Sequence, residues 1–219
     1  SDGVLGRPAV FDRFAELVWF TLYTGWTNHQ WRLALGIKHE RESTEELKNF
    51  GPGVIDGSEG VVDGTLTDVT GTANIFLGNH RRSVKYLSLQ DEWGFAADWT
   101  LTGGLRYDDY SDFGGTLNPR LALVWATRHD LTSKLMVGRA FRAPSFSEMY
   151  ATNNPVVLGN PNLQPETLTS YEVAFDYRPS PDLNGRLNLF RYNIADLINH
   201  VPDAGGQTST AQNVQDREG

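Results

Sequence analysis

The residue types that do chemistry are present in this chain, but their spacing suits recognition rather than catalysis. The five histidines, His29, His39, His80, His129 and His200, are scattered over turns and loops with no metal-ligand spacing between them. Asp108, Asp109 and Asp112 with Gly114 supply the acids of a calcium loop but not its one-three-five spacing or distal bidentate glutamate. Ser145 and Ser147 have no base placed by sequence, and a Gly-x-Ser-x-Gly turn does not occur. Cysteine is absent, which removes disulfides, thiolate metal sites and cysteine nucleophiles together. The expectation is a protein that is not an enzyme and needs no cofactor or metal.

Two other groups of residues suit binding. Phe146, Tyr150, Asn153, Asn154, Asn160 and Asn162 lie on one proline-rich stretch, where aromatic faces and amides can meet a ligand. Turn formation alone also places Asn and Pro in such a stretch. Arg106, Arg120 and Arg142 offer cations to an anionic ligand or to acidic protein groups. Phe146, Tyr150, Asn153, Asn154, Arg106, Arg120 and Arg142 are therefore the candidate ligand-binding residues.

The elements that must hold these residues read as strands. Tyr171, Val173, Phe175 and Tyr177 alternate with Ser170, Glu172, Ala174 and Asp176, and Trp31, Leu33, Leu35 and Ile37 with Arg32, Ala34, Gly36 and Lys38. Period two gives one apolar and one wet face. Similar runs cover 84–95, 99–108, 117–125 and 187–189. Phe14 to Trp26 carries apolar residues on both parities, and 131–142 has mixed faces, so neither phase is fixed by the pattern. A phase change around Phe190 to Ile194 calls for a bulge.

Between strands, the connections at 27–29, 96–98, 127–130 and 179–184 are short, while 40–83, 109–116, 143–166 and 195–213 read as long or moderate. Pro144, Pro155, Pro161 and Pro165 keep the third of these out of any helix interior or central strand. Trp26, Trp31, Trp93, Phe95, Trp99, Trp125 and Tyr177 all sit near a short connection, as expected of rings held at a membrane interface. The polar parity holds Lys38, Arg106, Arg120, Glu172 and Asp176, which suits a barrel lumen or, equally, a solvated face of a soluble sandwich. An arginine or lysine on a lipid face near the midplane costs roughly 2–4 kcal/mol.

Composition narrows the partners. No run of about twenty apolar residues exists, so a transmembrane helix is excluded, though strands that alternate are not. A net charge of -8 with no basic stripe argues against nucleic acid.

The run Gly138-Arg-Ala-Phe-Arg-Ala-Pro-Ser145, followed by Asn160-Pro-Asn-Leu-Gln-Pro-Glu-Thr167 and Ser170-Tyr-Glu-Val173, closely resembles the late-barrel segment of TonB-dependent outer-membrane receptors. The resemblance extends through Phe190 to Ile198 and back through Leu89 to Trp93, Gly104 to Asp108 and Asn118 to Arg120. It implies an all-β fold, part of a single antiparallel transmembrane barrel domain over 1–219, with about eight strands here and an N-terminal plug domain that this chain lacks. It further implies residence in the bacterial outer membrane, contact with outer-membrane lipid, with the receptor's own plug and with the TonB complex, and import of a scarce small-molecule ligand, most often a ferric siderophore. Ser1 and the unfinished final strand are read as the ends of an internal piece. Two alternatives remain at this level: a complete small membrane barrel acting as adhesin or anchor, and a soluble β-sandwich binding module.

Overall fold

A computed structural model describes residues 6–49, 66–214 and 217–218. The strands are β1 (Gly6–Tyr23), β2 (His29–Lys48), β3 (Thr67–Asp68), β4 (His80–Ala96), β5 (Trp99–Tyr110), β6 (Gly114–Arg128), β7 (Leu131–Arg142), β8 (Val157–Leu158), β9 (Glu166–Ser180), β10 (Leu183–Ala195), β11 (Leu197–Pro202), β12 (Ser209–Val214) and β13 (Arg217–Glu218), with one short helix, α1 (Phe146–Tyr150). The long strands form a sheet in the order β1-β2-β4-β5-β6-β7-β9-β10-β13, with β3 added to β2. Every pair along it is antiparallel, and a second sheet sets β11 against β12 with β8 parallel to β12.

Register assigns each side chain to a face. Trp93, Leu101, Leu123, Leu135, Val173 and Leu189 are cross-strand partners in one continuous row from β4 to β10. This face stays open: Leu135 is 55% exposed and Leu189 56%. The opposite face carries Lys38, Gln90, Arg106, Arg120, Glu172 and Asp176, the parity expected for a lumen. Among the described residues no second sheet covers the apolar row.

At the end of the sheet with the short connections, aromatic rings form a belt. Trp26 meets Trp31 edge-on at 5.9 Å, Trp93 lies 5.4 Å from Phe95, Phe95 lies 6.1 Å from Trp99, and Trp99 stacks on Trp125 at 4.9 Å. His29 lies between Trp31 and Trp93 and bonds Asp91 through Nδ1 at 2.7 Å.

The two phases left open by the pattern are resolved by pairing. β1 turns Leu17, Trp19 and Tyr23 to the apolar face opposite Ile37, Leu35 and Trp31, and turns Phe14, Val18 and Phe20 to the polar face. β7 places Leu135 and Val137 with Val173 and Tyr171, which leaves Lys134, Met136 and Arg142 on the polar side.

Several expected boundaries change. The excursion at 40–83 is shorter, because β2 runs on to Lys48 and β4 begins at His80. Its charged run Arg41 to Lys48 keeps strand alternation, with Glu42, Thr44, Glu46 and Lys48 buried and Arg41 and Glu45 exposed. The glycine-rich residues 50–65 of that excursion lie outside the described residues. The connection at 109–116 contracts to 111–113, with Gly114 at φ 92 supplying the left-handed backbone. No bulge occurs at Phe190 to Ile194: pairing with β9 is continuous from Gly185 to Ala195, and the shift lies at Leu183 to Gly185. The hydrophobic phase changes there without a register change, so Phe190 and Tyr192 share the face of Glu172 and Ser170 and stack on each other at 6.4 Å. Residues 195–213, expected as loop, form the β11–β12 hairpin.

Candidate functional site

The proline-rich stretch holds one helical turn, α1, set between Pro144 and Pro155. Ser145 caps it: its hydroxyl accepts from the Glu148 amide at 3.2 Å while Glu148 Oε2 accepts from the Ser145 amide at 2.8 Å. The turn folds onto the loop end of β4. Arg82 of β4 donates from Nε to Asp112 at 2.7 Å and from Nη2 to the Pro144 carbonyl at 2.8 Å. Its guanidinium lies 4.7 Å from the Phe146 ring centre and 5.3 Å from that of Phe113. His80 stacks on Tyr150 at 4.2 Å, and its Nε2 donates to the Leu77 carbonyl.

Around this turn the loop-end segments knit into a cap. The Phe76 amide donates to Glu46 Oε2 at 2.6 Å, and the Thr152 amide donates to the Phe76 carbonyl at 2.7 Å. Met149, Leu163 and Ala211 form a small buried core with Tyr150 and Ile198 packed against it. Burial holds the Lys48 ammonium below the usual lysine range, although Glu46 beside it works the other way. Glu42 is pushed up to about 7, first by burial and then by its cross-strand neighbour Asp12, with Arg82 opposing.

Below the cap, a cavity of about 370 Å³ is lined by Ser88, Gln90, Gly104, Arg106, Asn118, Arg120, Ala140 and Phe141 among others. It sits where β6 and β7 stop pairing: their ladder ends at Arg120 opposite Gly138, although β7 pairs with β9 up to Arg142. Pro119, with no amide hydrogen, follows that last rung. Arg120 Nη2 donates to Gln90 Oε1 at 2.5 Å. Arg106 chelates Asp108 through Nε and Nη2, and its guanidinium rests 4.1 Å from the Tyr86 ring centre. Tyr86 in turn lies over Gly36, where a Cβ would fall 2.2 Å from the ring, and donates to Glu16 Oε1 at 2.9 Å.

The structure thus brings Arg106 and Arg120 into one cavity and Phe146 and Tyr150 into the cap. Arg142 lines neither, but ties α1 to β9 by donating to Glu148 and Glu166 at 2.7–3.0 Å. These bonds hold Glu166 below the usual carboxylate range; for Glu148, burial pushes upward and the bonds from Arg142 and Ser145 outweigh it. Asn153, at φ 51, donates to the Ala73 and Ile75 carbonyls, and Asn154 accepts from the Val156 and Val157 amides. Arg82, Gln90 and Tyr86 were not among the sequence candidates. The alternation that begins at Val84, continued back two residues, points Arg82 to the same face.

The family model for the TonB-dependent receptor-like β-barrel matches residues 6–218. The chain belongs to that family. Its place is therefore the bacterial outer membrane, and its apolar row is a lipid-facing one; the family is one of receptors rather than enzymes. The receptor chain is 33% identical over 118 residues to an iron-regulated outer membrane virulence protein of Vibrio cholerae, covering 52% of this chain and 18% of that protein. It is 29% identical over 150 residues to the ferric enterobactin receptor PirA of Pseudomonas aeruginosa, covering 61% and 20%. In fold it matches a mutant ferric enterobactin receptor, PfeA from Pseudomonas aeruginosa, in complex with enterobactin, with a TM-score of 0.66, 18% identity and coverage of 95% of this chain and 32% of that one. The chain spans about a fifth of the length of these curated relatives.

Proposed function

We propose that residues 1–219 are part of the single barrel domain of a receptor that binds a ferric siderophore from outside the cell and imports it with TonB-derived energy. The observation that carries this reading is the cavity holding Arg106, Arg120, Gln90 and Asn118 on the lumen face beneath the loop cap. The exposed Arg120 guanidinium, partnered by the neutral Gln90 and set beside the Arg106–Asp108 pair and the Asn118 amide, suits an anionic chelate, because hydrogen bonds between charged groups are stronger than neutral ones. The iron-regulated and ferric enterobactin receptor names of the relatives support the same ligand class. On this reading the plug domain fills the lumen and the TonB complex contacts a region outside this chain.

The test is direct titration of the complete receptor with ferric catecholate, ferric hydroxamate, cobalamin and haem, read by tryptophan fluorescence. Arg120 is the residue to change, since Arg106→Ala would also leave the buried Asp108 without its partner. Arg120→Ala should weaken a ferric siderophore by roughly 10–100-fold, the worth of a hydrogen bond to a charged group. Binding of cobalamin or haem with no ferric siderophore bound would overturn the ligand assignment.

A further inference from the structure

Three arginines face one another across the loop-end rim of the lipid side. Arg13 of β1 is the direct partner of Arg41 on β2, and Arg41 is the direct partner of Arg81 on β4. All three are exposed. Directly opposed residues on neighbouring antiparallel strands stand about 5 Å apart at Cα, and like charges so placed are destabilising. Among the described residues none of the three makes an ion pair or hydrogen bond that would offset the repulsion. Lys85, two rungs below, is different, because Asp109 is its direct cross-strand partner. A row of cations that repel one another, with no acid as a direct cross-strand partner on their own face, is suited to an anion from outside the protein.

Their height says which anion. Arg41, Ile37, Leu35, Leu33 and Trp31 share one face of β2, and Trp31 belongs to the aromatic belt. Ten residues from Trp31 to Arg41 span about 33 Å of strand, and a tilt near 40° reduces this to about 25 Å, the height of the apolar band of an outer-membrane barrel. The row therefore stands just above the hydrocarbon, at the level of the head groups. The rung below is Ala15, His39 and Ser83, with His39 Nδ1 3.0 Å from Ser83 Oγ, so polar character begins there. A recess of about 220 Å³ lies at this point, lined by Arg13, Arg41, Arg81, Ser43, Asn79 and His80, with Glu42 of the opposite face at its inner side. The head groups on that side of an outer membrane are those of its outer leaflet, which is built from a phosphorylated glycolipid. We propose that Arg13, Arg41 and Arg81 form a docking site for the phosphates of that glycolipid, fixing one lipid against the barrel wall. Guanidinium forks match phosphate oxygens bidentately, and one multivalent anion relieves the repulsion of all three.

The test uses the complete receptor purified in detergent and stripped of lipid. It is titrated with lipid A carrying its phosphates and with the dephosphorylated form, and bound lipid is counted by native mass spectrometry. Wild type should prefer the phosphorylated form by about tenfold or more, and R13Q/R41Q/R81Q should lose that preference, with Arg41→Gln intermediate. Without lipid the triple variant should melt at the same or a higher temperature, since the substitutions remove repulsion. Equal binding of the two lipids by wild type, full preference in the triple variant, or a lower melting temperature of the lipid-free triple variant would overturn the proposal, the last by making the arginines structural.

Discussion

The wall of β4 to β10 and the cap at its loop end are held together by different forces. In the wall, Leu123, Leu135, Val173 and Leu189 line up across four strands and bury little against protein. Backbone ladders and lipid hold that region, and its polar face stays open for function. In the cap, Met149, Leu163 and Ala211 are 0–1% exposed, and Arg82, Glu42 and Lys48 are buried among partners. Here protein packing and ion pairs such as Arg82 with Asp112 do the work that lipid does below. A change that matters in one region should therefore be quiet in the other.

The largest separation is expected from Arg82→Ala. It leaves Asp112 buried without its partner and removes the cation from between Phe113 and Phe146, a loss of about 3–5 kcal/mol for a broken buried pair. Hydrogen exchange of residues 144–165 should rise by orders of magnitude while amides of β5 and β6 keep their protection. Next comes a matched pair of truncations. Leu163→Ala should cost the cap about 2–5 kcal/mol, whereas Leu135→Ala, on the open face, should cost under ~1 kcal/mol in detergent. Equal effects on local exchange would erase the distinction between the two regions.

A pH series sharpens it further. Glu42 has its pKa raised to about 7, so the folded cap holds a proton that the unfolded chain has already released. The sign follows: its favourable contribution is full below about 4.5 and is lost as pH rises through 7. Cap opening, followed by limited proteolysis, should increase between pH 5 and 8, and Glu42→Gln should flatten that rise. Glu148 and Glu166 act oppositely, because their lowered pKa values give stability present above about 4.5 and lost on acidification. The smallest effect is that of Ser145→Ala, about 1 kcal/mol for a lost helix cap, seen as fraying of α1 alone.

The wall was legible in the sequence because its strands keep period two wherever one face is lipid and the other polar. Lys38, Arg106, Arg120, Glu172 and Asp176 all take the face their parity gives them. β1 was not legible, since Phe14, Val18 and Phe20 put apolar groups on the polar face as well, and only pairing with β2 separates the two sets. The cap was hidden for another reason. Its geometry depends on contacts between distant segments, such as Asn153 with Ala73 and Asn213 with Gln164, that no local spacing encodes. Arg142 illustrates the result: its charge was visible, but the two glutamates that occupy it come from α1 and β9.

The measurement that bears most directly on this account is a spin-label scan along β6, from Asn118 to Trp125, in the receptor reconstituted into lipid. Labels at 121, 123 and 125 should be quenched by oxygen dissolved in the bilayer, and those at 118, 120, 122 and 124 by a water-soluble nickel chelate, in strict alternation. Uniform accessibility to the nickel chelate along the whole strand would contradict the lipid-facing wall on which the account rests.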